Sequence, residues 1–149
     1  MKKLMVGLGT VVCMWSIQVE AAEVTWQKDI KPLFEKHCAG CHGADAPNFE
    51  DFNKDMKKWT EKGTGMKMES YGAMISFVGW PETGALMRRL DDGSSRTDKK
   101  PGNMYENLGD TPAERKANLE TFKAWVGNWN LKRWKDVTKD ELNSLKIKY

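Results

Sequence analysis

The sequence predicts an all-α fold, and three observations carry that prediction. No stretch of any length alternates apolar and polar residues as a half-buried strand does. Apolar side chains recur instead at intervals of three and four, in Ile30, Leu33, Phe34 and Cys38 and again in Leu119, Phe122 and Val126. Helix-starting signals are also present: Thr111-Pro112-Ala113-Glu114 and Thr138-Lys139-Asp140-Glu141 both read as capping boxes, a threonine with a glutamate three residues on. The 149 residues fit one domain, with 40% hydrophobic and 30% charged side chains. A mean hydropathy of -0.67 excludes a polytopic membrane protein. The balance of 24 basic against 21 acidic residues excludes a nucleic-acid-binding basic arm. Seven tryptophans and nine methionines point to a core of a few large side chains, or one completed by something large and flat.

In chain order, the first element is a leader. Lys2 and Lys3 precede an apolar run from Leu4 to Ile17, and Val19-Glu20-Ala21 has the form of a cleavage site. Residues 1–21 therefore read as a secretory signal peptide cut after Ala21, and the expected location is the periplasm. The run falls short of the ~20 residues that span a bilayer, so no stable membrane insertion is expected after cleavage; a retained anchor is the alternative. Cys13 lies in this run behind Val12 and does not read as a lipid-attachment cysteine. Removal of Lys2, Lys3 and Glu20 takes the net charge from +3 to +2.

The next element is a helix around Ile30, Leu33 and Phe34, with Pro32 tolerated near its start or at a bend. It leads into Cys38-Ala39-Gly40-Cys41-His42. C-x-x-C-H is the attachment sequence of a c-type haem. Its two thiols must reach two vinyl groups along one porphyrin edge, and the histidine must present a ring nitrogen to the iron. A thioredoxin-like pair would need alternating strands and helices, and a zinc knuckle two more Cys or His ligands, of which only His37 remains. His37 itself reads as a solvent-facing histidine beside Cys38, on the proximal side.

The segment from Asp29 to Gly43 resembles the N-terminal helix and haem-attachment turn of class I bacterial monohaem cytochromes c. The resemblance implies a class I cytochrome c-like fold around one covalently bound haem c. It also implies a last core helix that crosses the first, with an aromatic pair at the crossing. The helix that Thr111 opens supplies Phe122 and Trp125 for that pair, and Gly127 ends it.

Between the two helices the elements are shorter. Residues 43–70 read as a long connection with one short helix around Asp51 to Trp59, wrapping the lower edge of the haem. Trp80-Pro81-Glu82-Thr83-Gly84 reads as a turn into a helix from about Glu82 to Leu90, and Asp92-Gly93-Ser94-Ser95 as the turn out.

A carrier closes its iron with a second axial ligand, usually a methionine thioether that raises the reduction potential. Six methionines follow the leader: Met56, Met66, Met68, Met74, Met87 and Met104. Met74 and Met87 sit in apolar runs and read as packing residues, and Met56 has strongly polar neighbours. Met66 and Met68 flank Lys67 in a glycine-rich stretch, while Met104 lies in an irregular loop, Lys100-Pro101-Gly102-Asn103-Met104-Tyr105. The family's axial methionine occupies such a loop just before the last helix, and the resemblance carries that role onto Met104, with Met66 or Met68 as alternatives. Many relatives flank it with prolines, whereas Asn103 and Tyr105 stand here.

The resulting division is a signal peptide at 1–21, a cytochrome c domain at 22–127 and a C-terminal extension at 128–149 packing on the domain. Trp129, Leu131 and Trp134 are expected to lay an aromatic stripe over the core, with a short helix following Thr138. Lys132, Lys135, Lys146 and Lys148 read either as a solvated face or as a docking surface. The expected function is single-electron transfer between redox proteins through an iron held by His42 and Met104, the haem being attached at Cys38 and Cys41. The chain carries no paired carboxylates and no nucleophile constellation that would make it an enzyme by itself. Two alternatives are an electron-transfer subunit of a periplasmic oxidoreductase complex, and a gas sensor or peroxidase with a labile sixth ligand.

Overall fold

The structure, a computed structural model, describes residues 22–149; the signal-peptide reading of 1–21 and Cys13 lie outside the described residues. Among the described residues there are helices and turns but no strand, and no helix is long and apolar enough to cross a membrane.

Thr25 starts the first helical stretch by accepting the Lys28 N–H on its hydroxyl at 3.2 Å. The stretch opens as a wide turn over Trp26–Ile30, in which the Lys31 N–H reaches back to the Trp26 carbonyl, and continues as α1, Lys31–His37. Pro32 accounts for the wide turn: it has no N–H to donate, and its ring would crowd the carbonyl four residues back in a regular helix. Trp26, Ile30 and Phe34 are buried on one face.

That face meets α7, Pro112–Val126, which buries Leu119, Phe122, Trp125 and Val126. Trp26 lies 6.2 Å from Trp125 and 6.4 Å from Phe34 between ring centroids, so the aromatic contact at the crossing is Trp26 on Trp125. Burying an Ile30 or a Phe122 contributes about 1.5–3 kcal/mol each. His37 departs from expectation. Its side chain is 9% exposed, with Nε2 3.6 Å from the Glu114 carboxylate and 3.4 Å from the Asn118 amide. It lies inside the crossing because the end of α1 faces α7.

The capping box expected at Thr111 forms on one side only. Thr111 Oγ1 accepts the Glu114 N–H at 3.1 Å, but the Glu114 carboxylate accepts from the Asp110 N–H at 3.0 Å and from Lys36 Nζ at 2.7 Å.

The single helix expected near Asp51 to Trp59 is two: α3, Phe49–Lys54, and α4, Met56–Glu61. Asp55 breaks them apart by leaving the helical conformation and capping α4 through the Lys58 N–H. The apolar run around Met74 forms α5, Tyr71–Ser76, which Ser70 caps. The next helix, α6, is Ala85–Leu90 and starts later than Glu82 because Gly84 adopts φ +72° at its N-cap.

Beyond Gly127 the chain folds back onto the helices. The short α2, Ala39–His42, carries the cysteine motif, and the last helix, α8, is Lys139–Asn143. At α8 both halves of the capping box form: Thr138 N donates to Glu141 Oε2 at 2.8 Å and Glu141 N to Thr138 Oγ1 at 3.2 Å. The Lys148 carbonyl then accepts from the Trp26 N–H and from the Trp125 indole, each at 2.8 Å. The Tyr71 hydroxyl donates to the Ile147 carbonyl at 2.6 Å, and Tyr149 sits edge-on to Tyr71. Trp129 and Leu131 pack on the core as the stripe requires, whereas Trp134 is 50% exposed.

Candidate haem site

Cys38 ends α1, donating its N–H to the Phe34 carbonyl at 2.8 Å, and at once begins the turn of α2. The Cys41 and His42 N–H groups both donate to the Cys38 carbonyl, at 3.1 and 2.9 Å, so one turn carries both thiols and the imidazole. Cys38 is half-buried against the core and Cys41 is exposed, and no disulfide joins them. Burial, with the neighbouring Cys41 charge, pushes the Cys38 thiol up to about 11. A dithiol redox pair depends on a thiol shifted the other way.

His42 Nδ1 lies 2.7 Å from the Met66 carbonyl oxygen. A carbonyl only accepts, so Nδ1 carries the proton and the Nε2 lone pair is left for a metal. The segment carrying Met66 is strapped to α2 on both sides of this bond. Gly65 N donates to the Cys41 carbonyl and Met68 N to the His42 carbonyl, each at 2.9 Å, while Lys67 N donates to the Pro47 carbonyl at 2.8 Å. Gly65 makes the close approach possible, since a Cβ there would stand 2.1 Å from His42 Cε1.

Met104 comes from the loop before the turn Tyr105–Leu108. Its N–H donates to the Arg89 carbonyl at 3.0 Å, and the Gly102 N–H to the Asp91 carbonyl at 2.7 Å. Met104 is partly buried against the same apolar cluster that Cys38 touches. The Asn107 amide donates to its Sδ at 3.6 Å. Sulfur has two lone pairs, so one remains for a metal. Met74, Met87 and Met68 are buried in the core, Met56 is 53% exposed, and Met66 is partly buried.

Sequence reasoning overlooked Gly65 and the Met66 carbonyl. The glycine-rich composition of 63–65 was the visible signal, but its partner is 24 positions from Met66 and only the fold supplies it. Among the described residues no cluster of three or more His, Cys, Asp or Glu side chains could hold a metal ion. Two thiols on one turn, an imidazole with its tautomer set and a thioether on a separate loop fit a covalently held porphyrin iron.

A family model described as PccH Cytochrome c matches residues 25–149. The chain is similar to the protein whose structure is described as monoheme cytochrome PccH from Geobacter sulfurreducens. The two are 57% identical with a TM-score of 0.81, over 86% of this chain and 100% of that one. No curated protein matches the chain. The family match runs through residue 149, so the folded-back tail is part of what the family model describes. The chain belongs to the PccH cytochrome c family and, as a cytochrome c with one C-x-x-C-H motif, carries one covalently bound haem c.

Proposed function

We propose that this protein is a periplasmic electron carrier whose haem is attached at Cys38 and Cys41 and ligated by His42 and Met104. The observation that carries the reading is the bond between His42 Nδ1 and the Met66 carbonyl, which orients the ring and leaves Nε2 basic and free. The bound haem supplies a one-electron Fe(III)/Fe(II) couple. The chain's own task is to keep the ligands in place in both oxidation states, and packing does this: Cys38 and Met104 lean on one rigid apolar cluster, so little rearrangement accompanies a change of charge.

Among the methionines, Met104 is favoured by its placement. Met66 and Met68 belong to the strap behind the imidazole, on its Nδ1 side, and Met74 and Met87 are committed to the core. Periplasmic location is supported by the leader-like residues 1–21. Donor and acceptor are redox proteins that dock in a small, transient interface.

The test is Met104→Ala. It should abolish the weak absorption at the red end of the ferric spectrum that marks sulfur ligation, and it should lower the potential. Met66→Leu should leave both in place. A Met104→Ala protein with the wild-type spectrum and potential would overturn the ligand assignment.

A further inference from the structure

Asp91 is the one carboxylate that is fully buried among the described residues, and electron transfer gives it no task. It ends α6, and its side chain is fully engaged. Oδ1 accepts the Gly93 N–H at 2.8 Å and the Ser95 N–H at 3.4 Å, and Oδ2 accepts the Trp129 indole N–H at 3.0 Å. Three bonds join this same turn of α6 to the Met104 loop. The Asp91 carbonyl accepts the Gly102 N–H, the Arg89 carbonyl accepts the Met104 N–H, and the Arg89 guanidinium donates to Asn103 Oδ1 at 2.9 Å. The approach is tight enough to need glycine, since a Cβ on Gly102 would stand 2.3 Å from the Arg89 carbonyl oxygen. On its other side the helix is held by the tail, because Arg88 Nη1 donates to the carbonyls of Leu131 and Lys132 at 3.1 and 3.0 Å, as well as to that of Thr83 at 2.9 Å.

We propose that Trp129 and Asp91 are positioning residues for Met104: through the end of α6, the folded-back tail holds the loop that keeps the thioether on the iron. The inference rests on Met104 being the ligand. The loop has no regular secondary structure of its own to hold residues 101–104, so its position is set by the surface it is stitched to. That surface is the last turn of a six-residue helix, too short to be rigid in isolation. The indole bond is the link from the tail to this carboxyl, because a buried acceptor left without its donor is costly.

The experiment uses holoprotein and imidazole as the probe, since imidazole enters the ferric iron's coordination sphere only when Met104 leaves it. Trp129→Phe keeps an aromatic ring on the core and removes the donor. It is expected to raise imidazole affinity roughly tenfold, the scale of losing one bond to a charged acceptor, and to weaken the red-end band. Lys148→Ala is the control: it breaks the tail's ion pair with Glu23, makes none of the tail's bonds to α6, and should leave imidazole affinity unchanged. A Trp129→Phe affinity within about twofold of wild type, in a protein whose Met104→Ala variant has lost the band, would overturn the positioning role and spare the ligand. Retention of the band by Met104→Ala would instead overturn the ligand reading itself. Should Trp129→Phe fail to fold, hydrogen exchange on wild-type holoprotein decides: the Trp129 indole and the Met104 amide should open together, and independent opening would overturn the proposal.

Discussion

A methyl group on Gly65 would occupy the space of the His42 ring. Gly65→Ala is therefore expected to destabilise the holoprotein by about 1–3 kcal/mol through overpacking, and to tilt the imidazole off the Met66 carbonyl. Thermal unfolding would read the first effect and the low-spin electron paramagnetic spectrum the second. At the residue scale, Cys38, Cys41 and His42 were legible because three residues on one turn keep their spacing whatever surrounds them. His37 was not. It sits one position before Cys38, and its burial depends on Glu114 and Asn118, which arrive from a helix far along the chain. The Met66 carbonyl escaped for a related reason: a backbone group has no sequence signature until its partner is known.

The same four-residue pattern gave two outcomes at the scale of elements. At Thr138 both bonds of the capping box form. At Thr111 the glutamate is drawn away by the Asp110 N–H and by Lys36 across the α1–α7 crossing. These interactions hold the Glu114 carboxyl below its ordinary value, the Lys36 hydrogen bond foremost. Thr111→Ala should still remove the bond to the Glu114 N–H and cost about 1 kcal/mol, visible as a lower thermal midpoint with unchanged haem spectra. Long helices with clear three- and four-residue periods were legible. Short ones were less so: Asp55 splits α3 from α4 by satisfying the Lys58 N–H, and Gly84 delays α6, both local competitions that apolar spacing does not register.

At the scale of the molecule, the tail packs back on the helices, and what its sequence did not show is which groups it meets. It returns to cover the Trp26–Trp125 contact, places Trp129 on Asp91 and ties α8 back through Glu141. The Glu141 carboxyl is held down to about 2, chiefly by the Lys132 ammonium and then by the Thr138 N–H. Because its pKa is lowered on folding, the stability it contributes is present above its ordinary value of 4.5 and is lost as pH falls towards 2. The difference in thermal midpoint between wild type and Glu141→Gln should accordingly be largest above pH 4.5 and close as the solution is acidified; a difference independent of pH would contradict this coupling.

The surplus of tryptophan finds its explanation at the same scale. Trp26 and Trp125 make the crossing, and Trp129 links the tail to Asp91 at the end of α6, while Trp80 and Trp134 remain largely exposed. By itself the sequence determined the helical class, the two apolar faces and the single turn that carries Cys38, Cys41 and His42, because each is written in residues a few positions apart and follows from helical period. Only the tertiary structure decided which nitrogen of His42 is free, why Met104 stands apart from Met66, and where the last 22 residues go. Those outcomes hang on hydrogen bonds between groups far apart in the chain, 24 positions for His42 and Met66 and 76 for Tyr71 and Ile147, whose partners exist only once the core has packed.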